Sequence, residues 1–270
     1  MQALMLFNVL LTVFACFFLW WRGRVKKFQA TVKLVDEACR KGEYERGLHL
    51  AEDLKKQRRT IPPAYWFLRG KLLYQLGRLP DAESCFRTEL TLEADSRRKA
   101  LAREALGRVL MEEKRYDAAI ASFEASAEDC SDLGIGHCGI AEAYLRQGIR
   151  AADALGSARL AVEIARAARA RHKQLQDMDL AEAMATLAWA VAAHSADASE
   201  VDRLVADAFP LCSEEYKPIQ AHLHFLAGGA YSALGGRGAR EKSADYFQQA
   251  AAADPQGNFG RLAKAAETTV

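Results

Sequence analysis

The 270-residue sequence predicts an all-α protein made of about six antiparallel helix pairs preceded by one transmembrane helix. Three observations support this fold class. The chain opens with a long uncharged apolar run, glycine and aromatic residues recur at a spacing of about 35 residues, and prolines are few. Helical repeats recur at such spacings because each helix pair buries its apolar face only by stacking on the next pair.

The apolar run ALMLFNVLLTVFACFFLWW occupies residues 3–21 and is followed directly by RGRVKK. Nineteen helical residues span about 28 Å, which is close to the hydrocarbon thickness of a bilayer. Trp20 and Trp21 stand where aromatic side chains meet lipid headgroups. We therefore expect residues 1–27 to form a transmembrane anchor with a basic stop, and residues 3–21 to contact the lipid bilayer.

The charges around this run predict its orientation. Residues 1–33 carry five basic side chains, all after the run, and no acidic ones. Under the positive-inside rule the N-terminus lies outside and the repeats are cytoplasmic, as in a single-pass protein of a bacterial inner membrane. A cleaved signal peptide is disfavoured because no basic residue precedes the run and bulky residues fill positions 17–21. A buried core helix is disfavoured because such helices rarely run this long without a charge.

Composition excludes some classes of function for the rest of the chain. Because the whole chain carries +2 and residues 1–33 carry +5, residues 34–270 carry −3, which is atypical of a nucleic-acid-binding domain. The six cysteines are scattered and form no C-x-x-C pair, so neither a disulfide framework nor a zinc ribbon is predicted. Unpaired thiols suit a reducing cytoplasm.

A repeated motif predicts the helix pairs. In one copy Trp66, Gly70, Gly77, Ala82 and Phe86 mark two helices joined by a tight turn. A second copy begins 37 residues after Gly70, and a weaker one 35 residues before Gly77. A small residue at the position of Gly70 allows close helix packing, and a glycine at 77 can end the first helix in a left-handed conformation.

These residues resemble the tetratricopeptide repeat, a 34-residue helix pair. The resemblance implies a solenoid over residues 28–256, with the last copy ending in the stretch from Tyr246 to Pro255. The units at 134–174 and 178–212 follow the pattern only loosely. Residues 257–270 are predicted to be a capping helix and tail.

In tetratricopeptide proteins the first helix of each repeat lines a concave groove that binds ligands. Placing the sequence on that pattern predicts a groove that binds a peptide or helix of a protein partner through polar contacts, with Tyr74 and Met111 as apolar anchors. The alternative is that these side chains only form the solvated faces of amphipathic helices. The predicted groove residues are Asp36, Arg40, Lys71, Tyr74, Gln75, Arg108, Met111, Glu112, Glu142 and Arg146.

No catalytic, cofactor-binding or metal-binding residue is predicted. His222 and His224 are two positions apart, so on a helix they point in nearly opposite directions and cannot share a metal ion. The sequence carries no phosphate-binding loop, nucleophile elbow or zinc-protease motif. We expect a non-enzyme with no cofactor, no nucleic-acid partner and no small-molecule substrate.

The layout is similar to the lipopolysaccharide assembly protein B family, in which a short anchor precedes tetratricopeptide repeats. That family also has a rubredoxin-like metal domain, which this sequence lacks. The prediction is therefore a membrane-anchored scaffold that assembles or regulates a membrane-associated complex. Two alternatives stay open: an envelope-assembly factor on the periplasmic or lumenal side, and a regulatory subunit of a larger enzyme.

Overall fold

A computed structural model describes residues 29–56, 63–171 and 177–267. Within those ranges no helix is long and apolar enough to cross a membrane. The predicted anchor at 1–27 lies outside the described residues.

The first half of the described chain consists of consecutive helix pairs. Helix α1 covers residues 29–40 and starts the first pair. The next five are α2 (Tyr44–Lys56), α3 (Pro63–Gln75), α4 (Leu79–Leu92), α5 (Ser96–Glu112) and α6 (Tyr116–Asp129).

The second half continues the same alternation and ends with an unpaired helix. A short 3-10 helix, Phe209–Leu211, follows α10. The helices are α7 (Ile135–Gln147), α8 (Ala151–Arg171), α9 (Asp177–Ser195), α10 (Ala198–Ala208), α11 (Lys217–Leu234), α12 (Arg237–Ala253) and α13 (Asn258–Glu267). The described residues thus form six helix pairs and one further helix, and the predicted all-α solenoid of about six units is confirmed.

Local sequence signals set the ends of several helices. The carboxylates of Asp95 and Asp197 accept hydrogen bonds from the backbone N–H groups of Arg98 (2.9 Å) and Glu200 (3.1 Å), so each caps a helix N-terminus. Gly77 lies in the turn that follows α3. Its φ of +74° falls in the left-handed region, where a residue with a side chain is strained. The turn predicted at this glycine is confirmed.

The glycine–phenylalanine pairs of the motif are direct contacts. Phe86 of α4 packs on Gly70 of α3, where an added Cβ would lie 2.7 Å from its ring. Phe123 lies on Gly107 in the same way, and a Cβ there would be 2.6 Å away. Phe86 and Phe123 are almost fully buried. The recurring spacing in the sequence therefore reflects one recurring contact between the two helices of a pair.

The loosely matching middle units also stack. Helix α7 contacts α9, and α9 contacts α11, so the first helices form a continuous inner row through residues 134–212. One core cluster runs from Leu48 to Tyr231 through this region. Its alanines, rather than the family's aromatic residues, let the helices approach closely.

The two ends of the stack meet. The Tyr44 hydroxyl donates a hydrogen bond to Asp254, and the Asn258 side chain donates one to the Tyr74 hydroxyl at 2.8 Å. The side-chain oxygen of Gln75 accepts a hydrogen bond from the backbone N–H of Asn258 at 3.0 Å. We call this set of contacts the clasp. It brings the N-terminus of α13 onto α3 and closes the inner face of the solenoid.

Candidate functional site

The inner face encloses a cavity of about 270 Å³. It is bordered by the first helices of successive pairs, namely α1, α3, α5, α7, α9 and α11, and by α13. Its lining includes Asp36, Arg40, Phe67, Lys71, Leu101, Glu104, Arg108, Ile135, Asp179, Glu182, Tyr216, His222 and Phe259. A concave, largely apolar cavity with a few polar groups is the usual form of a binding site.

One face of α3 forms a wall of this cavity. Phe67, Lys71, Tyr74 and Gln75 follow one another at helical spacing and all line it. The Lys71 ammonium lies 5.7 Å from the centre of the Phe67 ring and is exposed. Tyr74 and Gln75 are buried because α13 lies against them.

We call the solvent-facing edge of the cavity, at Lys71 and Arg40, its mouth. Arg40 of α1 pairs with Asp36 at 3.2 Å, and its guanidinium lies 5.5 Å from the centre of the Tyr216 ring. Lys71 is exposed and Arg40 is half-buried, and both line the cavity.

Arg108 lies at the centre of a buried ionic cluster on the inner side. Its guanidinium pairs with Glu104 one turn earlier on α5, with Glu182 of α9, and with Glu142 of α7 at 3.3 Å. Three helices that are distant in sequence are thus linked through one side chain. Breaking such a buried network by removing one member costs about 3–5 kcal/mol.

A second arginine extends the cluster. Arg146 pairs with Glu142 at 2.7 Å and with Glu112 at 2.8 Å. Burial disfavours the charged form of Glu142, but Arg146, His222 and Arg108 together outweigh it and hold its pKa well below its usual range. Glu142 is thus a permanent anion at the base of the site.

His222 connects the cluster to α13. Its Nε2 lies 3.3 Å from Glu142 and 3.4 Å from the Arg108 guanidinium. Its ring stacks on Phe259 of α13 with centroids 3.8 Å apart. The imidazole therefore carries polar contacts on its edge and an apolar contact on its face.

Two carboxyl groups that line the cavity have raised pKa values. Burial, with Glu182 nearby, raises the pKa of Asp179 to about 6. Burial also raises the pKa of Glu104, although Arg108 opposes it. In both groups burial is the main cause of the raised pKa.

The ten predicted groove residues fall into three groups. Asp36, Arg40, Lys71, Tyr74, Gln75 and Arg108 all line the cavity. Glu112, Glu142 and Arg146 lie behind it in the ionic cluster, with side chains 1–11% exposed. Met111 is 1% exposed and belongs to the main core cluster.

The expectation that all ten side chains lie on an open groove is therefore wrong in part. Met111 cannot anchor a partner because it packs between helices, and Tyr74 is covered by the clasp. The reason is that the tetratricopeptide pattern assumes an open superhelix, whereas α11 and α13 fill part of the concave face here.

Several residues of the site were not predicted from the sequence. Glu182 and Asp179 lie in a loosely matching unit, where the repeat pattern gives no register, and Phe259 lies in the predicted cap. Glu104 had a usable signal, since it precedes Arg108 by four residues on one helix face. His222 and His224 do point to different surroundings, because His224 contacts Phe209 on the other side of α11.

No metal site is evident in the described part of the chain. Within it, no three histidine, cysteine, aspartate or glutamate side chains are grouped so that they could hold a metal ion.

Comparison with known proteins identifies the repeat in the first half of the chain. The tetratricopeptide-repeat family model matches residues 32–96 and 67–134. The predicted resemblance is thus confirmed for residues 32–134. No curated protein matches the chain.

The chain is similar to solved structures that include two tetratricopeptide proteins and a pilus biogenesis factor. The C-terminal part of a repeat protein from Cytophaga hutchinsonii is 14% identical, with a TM-score of 0.41, and the match covers 86% of this chain and 98% of that one. PilW, a type IV pilus biogenesis factor, is 18% identical, with a TM-score of 0.49 and coverages of 87% and 97%. A tetratricopeptide protein from Thermus thermophilus is 16% identical, with a TM-score of 0.48 and coverages of 77% and 100%. Such values indicate no more than a general likeness between helical-repeat chains.

Proposed function

We propose that this protein is a non-catalytic, membrane-anchored adaptor that binds a protein partner at the concave face of its repeats. The observation that carries the proposal is the cavity of about 270 Å³ on the inner face, bordered by the first helix of every pair. A peptide or loop of a partner can insert a side chain there and contact the mouth with its backbone.

The mouth supplies the polar contacts for this binding. Lys71 is exposed and Arg40 is half-buried on neighbouring repeats, and Tyr216 lies beside Arg40. Aromatic and arginine side chains around a pocket are typical of the residues that contribute most to interface affinity.

The apolar run at residues 3–21 supports the membrane part of the proposal. An anchor confines the adaptor to the bilayer, where a weak affinity becomes effective because both partners are concentrated. In this proposal the basic residues after the run keep the repeats in the cytoplasm.

A labelling experiment tests the sidedness. Ser232 is exposed on α11, so Ser232→Cys in the full chain provides an accessible thiol. A membrane-impermeant maleimide is expected to label it only after cell lysis. Labelling in intact cells would overturn the cytoplasmic placement and favour the envelope-assembly alternative. The native Cys212 is less suitable because burial raises its pKa to about 11.

Charge reversal at the mouth tests partner binding. We expect Arg40→Glu combined with Lys71→Glu to remove the crosslinked partners recovered from native membranes. The matched control, Arg87→Glu with Arg237→Glu, reverses two exposed arginines on the second helices α4 and α12 and should leave those partners in place. Identical partner sets from both double variants would contradict the proposal. Recovery of a catalytic chain among the lost partners would favour the regulatory-subunit alternative.

A further inference from the structure

The cavity is suited to one long side chain. Its volume of about 270 Å³ lies just below the range of typical small-molecule pockets, which begins near 300 Å³. Apolar groups form much of its wall, including Phe67, Leu101, Ile135 and Phe259. A cofactor-sized ligand would not fit, whereas an aliphatic stem would be well covered.

The inner end of the cavity carries more negative than positive charge. Arg108 and Arg146 are the guanidinium groups of the ionic cluster. The carboxyl groups that share them or lie beside them are Glu104, Glu112, Glu142, Asp179 and Glu182. Among the cavity-lining groups away from the mouth, three carboxyl groups, of Glu104, Asp179 and Glu182, thus lie beside one arginine, Arg108. Glu112, Glu142 and Arg146 lie behind the cavity, and His222 contacts Glu142 and Glu182.

Asp179 is the carboxyl group of this set that has no partner within the described residues. It forms no hydrogen bond or ion pair there, although it is mostly buried and lines the cavity. Its neighbours Glu104 and Glu182 both line the cavity as well, and each is already paired with Arg108. An additional cation at this point would offset part of the excess negative charge.

We propose that the cavity binds a lysine or arginine side chain of the partner, with its aliphatic stem along Phe67 and Leu101 and its cationic head at Asp179, Glu104 and Glu182. This inference rests on the proposed function, because it names the ligand class of the same site. Such side chains combine an apolar stem with a charged end, which matches the distribution of apolar and acidic groups in the wall. A guanidinium also hydrogen-bonds carboxylates in pairs.

Burial, followed by the nearby Glu182, raises the pKa of Asp179 to about 6. Arg97 opposes the rise from outside the cavity lining. A cation bound beside Asp179 lowers its pKa, so binding is expected to weaken as the pH falls below about 6.

Peptide titration of the full chain in detergent micelles tests the proposal. The probes are three N-acetylated, C-amidated alanine pentapeptides that carry arginine, citrulline or glutamate at the middle position. We expect the arginine peptide to bind at least about tenfold more tightly than the citrulline peptide, since a hydrogen bond to a charged group contributes about 1.5–3 kcal/mol. No binding of the glutamate peptide is expected.

Two variants localise the binding. Asp179→Asn should weaken the arginine peptide about tenfold, whereas the control Asp117→Asn, on the exposed side of α6, should change nothing. Leu101→Trp fills the cavity without changing charge and should abolish binding. Thermal unfolding of each variant checks that the fold is kept.

Equal affinities for the arginine and citrulline peptides, or an unchanged affinity of Asp179→Asn, would overturn the assignment of the ligand class. Binding of Mg²⁺ or Ca²⁺ that Asp179→Asn abolishes, without binding of the arginine peptide, would also overturn it. The proposed function would still stand if recovery of partners from membranes depended on Arg40 and Lys71. Failure of the ligand class and failure of the proposed function can therefore be told apart.

Discussion

At the scale of single residues, the site is governed by how buried charges are compensated. Arg108 is 9% exposed and pairs with carboxylates from three helices, so it is a structural hub as well as a wall of the cavity. Arg115, by contrast, pairs with Glu83 and Glu113 at the surface. Exposed pairs of this kind contribute about 0–1 kcal/mol.

Replacing the hub should therefore be costly. We expect Arg108→Met to lower the free energy of unfolding by about 3–5 kcal/mol, because Glu104 and Glu182 lose the arginine that pairs with them and Glu142 loses one of its two. Arg115→Met, the surface control, should lower it by at most about 1 kcal/mol. Urea denaturation measures both, and equal losses would show that the cluster is not buried in the way described.

A buried carboxyl group on α4 predicts a pH dependence of stability. Glu89 is 2% exposed, and burial, with Glu93 nearby, raises its pKa to about 7 from an ordinary 4.5. The folded state therefore holds this proton more tightly than the unfolded state does. Its contribution to stability is present below pH 4.5 and is lost as the pH rises to about 7.

Glu89→Gln should remove this loss. Between pH 5 and pH 8 the wild-type free energy of unfolding should fall relative to that of the variant by about 2 kcal/mol. Glu124→Gln on the exposed face of α6 is the control and should leave the pH dependence unchanged. Parallel pH profiles of the wild type and Glu89→Gln would refute the role of Glu89.

At the scale of helix pairs, the glycine–phenylalanine contact accounts for the repeat. An added Cβ at Gly107 would lie 2.6 Å from the Phe123 ring, whereas the one at Gly156 of α8 would meet nothing within 4 Å. The same substitution is thus predicted to have opposite effects at two helical positions.

Gly107→Ala should lower the free energy of unfolding by about 1–3 kcal/mol through overpacking. Gly156→Ala should raise it by about 0.5–1 kcal/mol, because alanine loses less backbone freedom on folding. Thermal or urea unfolding of the two variants provides the comparison. A stabilising Gly107→Ala would show that helices α5 and α6 are further apart than described.

At the scale of the whole molecule, the clasp decides how open the concave face is. Its contacts between α13 and α3 are mostly polar, whereas α13 packs on α12 and α11 through Phe259 and Ala263. The contact between α13 and α3 is therefore the weaker of the two, and we expect the concave face to open there.

Removing one clasp contact tests this expectation. Asn258→Ala deletes the hydrogen bond to Tyr74, which should broaden the distribution of distances between spin labels at Arg46 of α2 and Lys264 of α13. Double electron–electron resonance measures that distribution, and Ser232→Ala on α11 serves as the control. An unchanged distribution would mean that the clasp does not hold the ends together.

Much of the architecture could be predicted because it depends on local patterns. Gly70, Phe86, Gly107 and Phe123 mark helix pairs through contacts between neighbouring helices, and these recur in the sequence at a constant spacing. The clasp joins residues more than 180 positions apart and has no such pattern. The part of the cavity wall that α3 forms follows the repeat pattern and was predicted. The parts that α9 and α13 form lie where the pattern is weak or absent, and they were not predicted.

Site-specific photo-crosslinking from the concave face tests partner binding most directly. p-Benzoylphenylalanine at Lys71 of α3, compared with the same group at Glu124 of α6, is irradiated in native membranes that contain the full chain. We expect a discrete protein adduct from position 71 and none from position 124. Adducts from position 124 alone, or the same adducts from both positions, would contradict a partner-binding concave face.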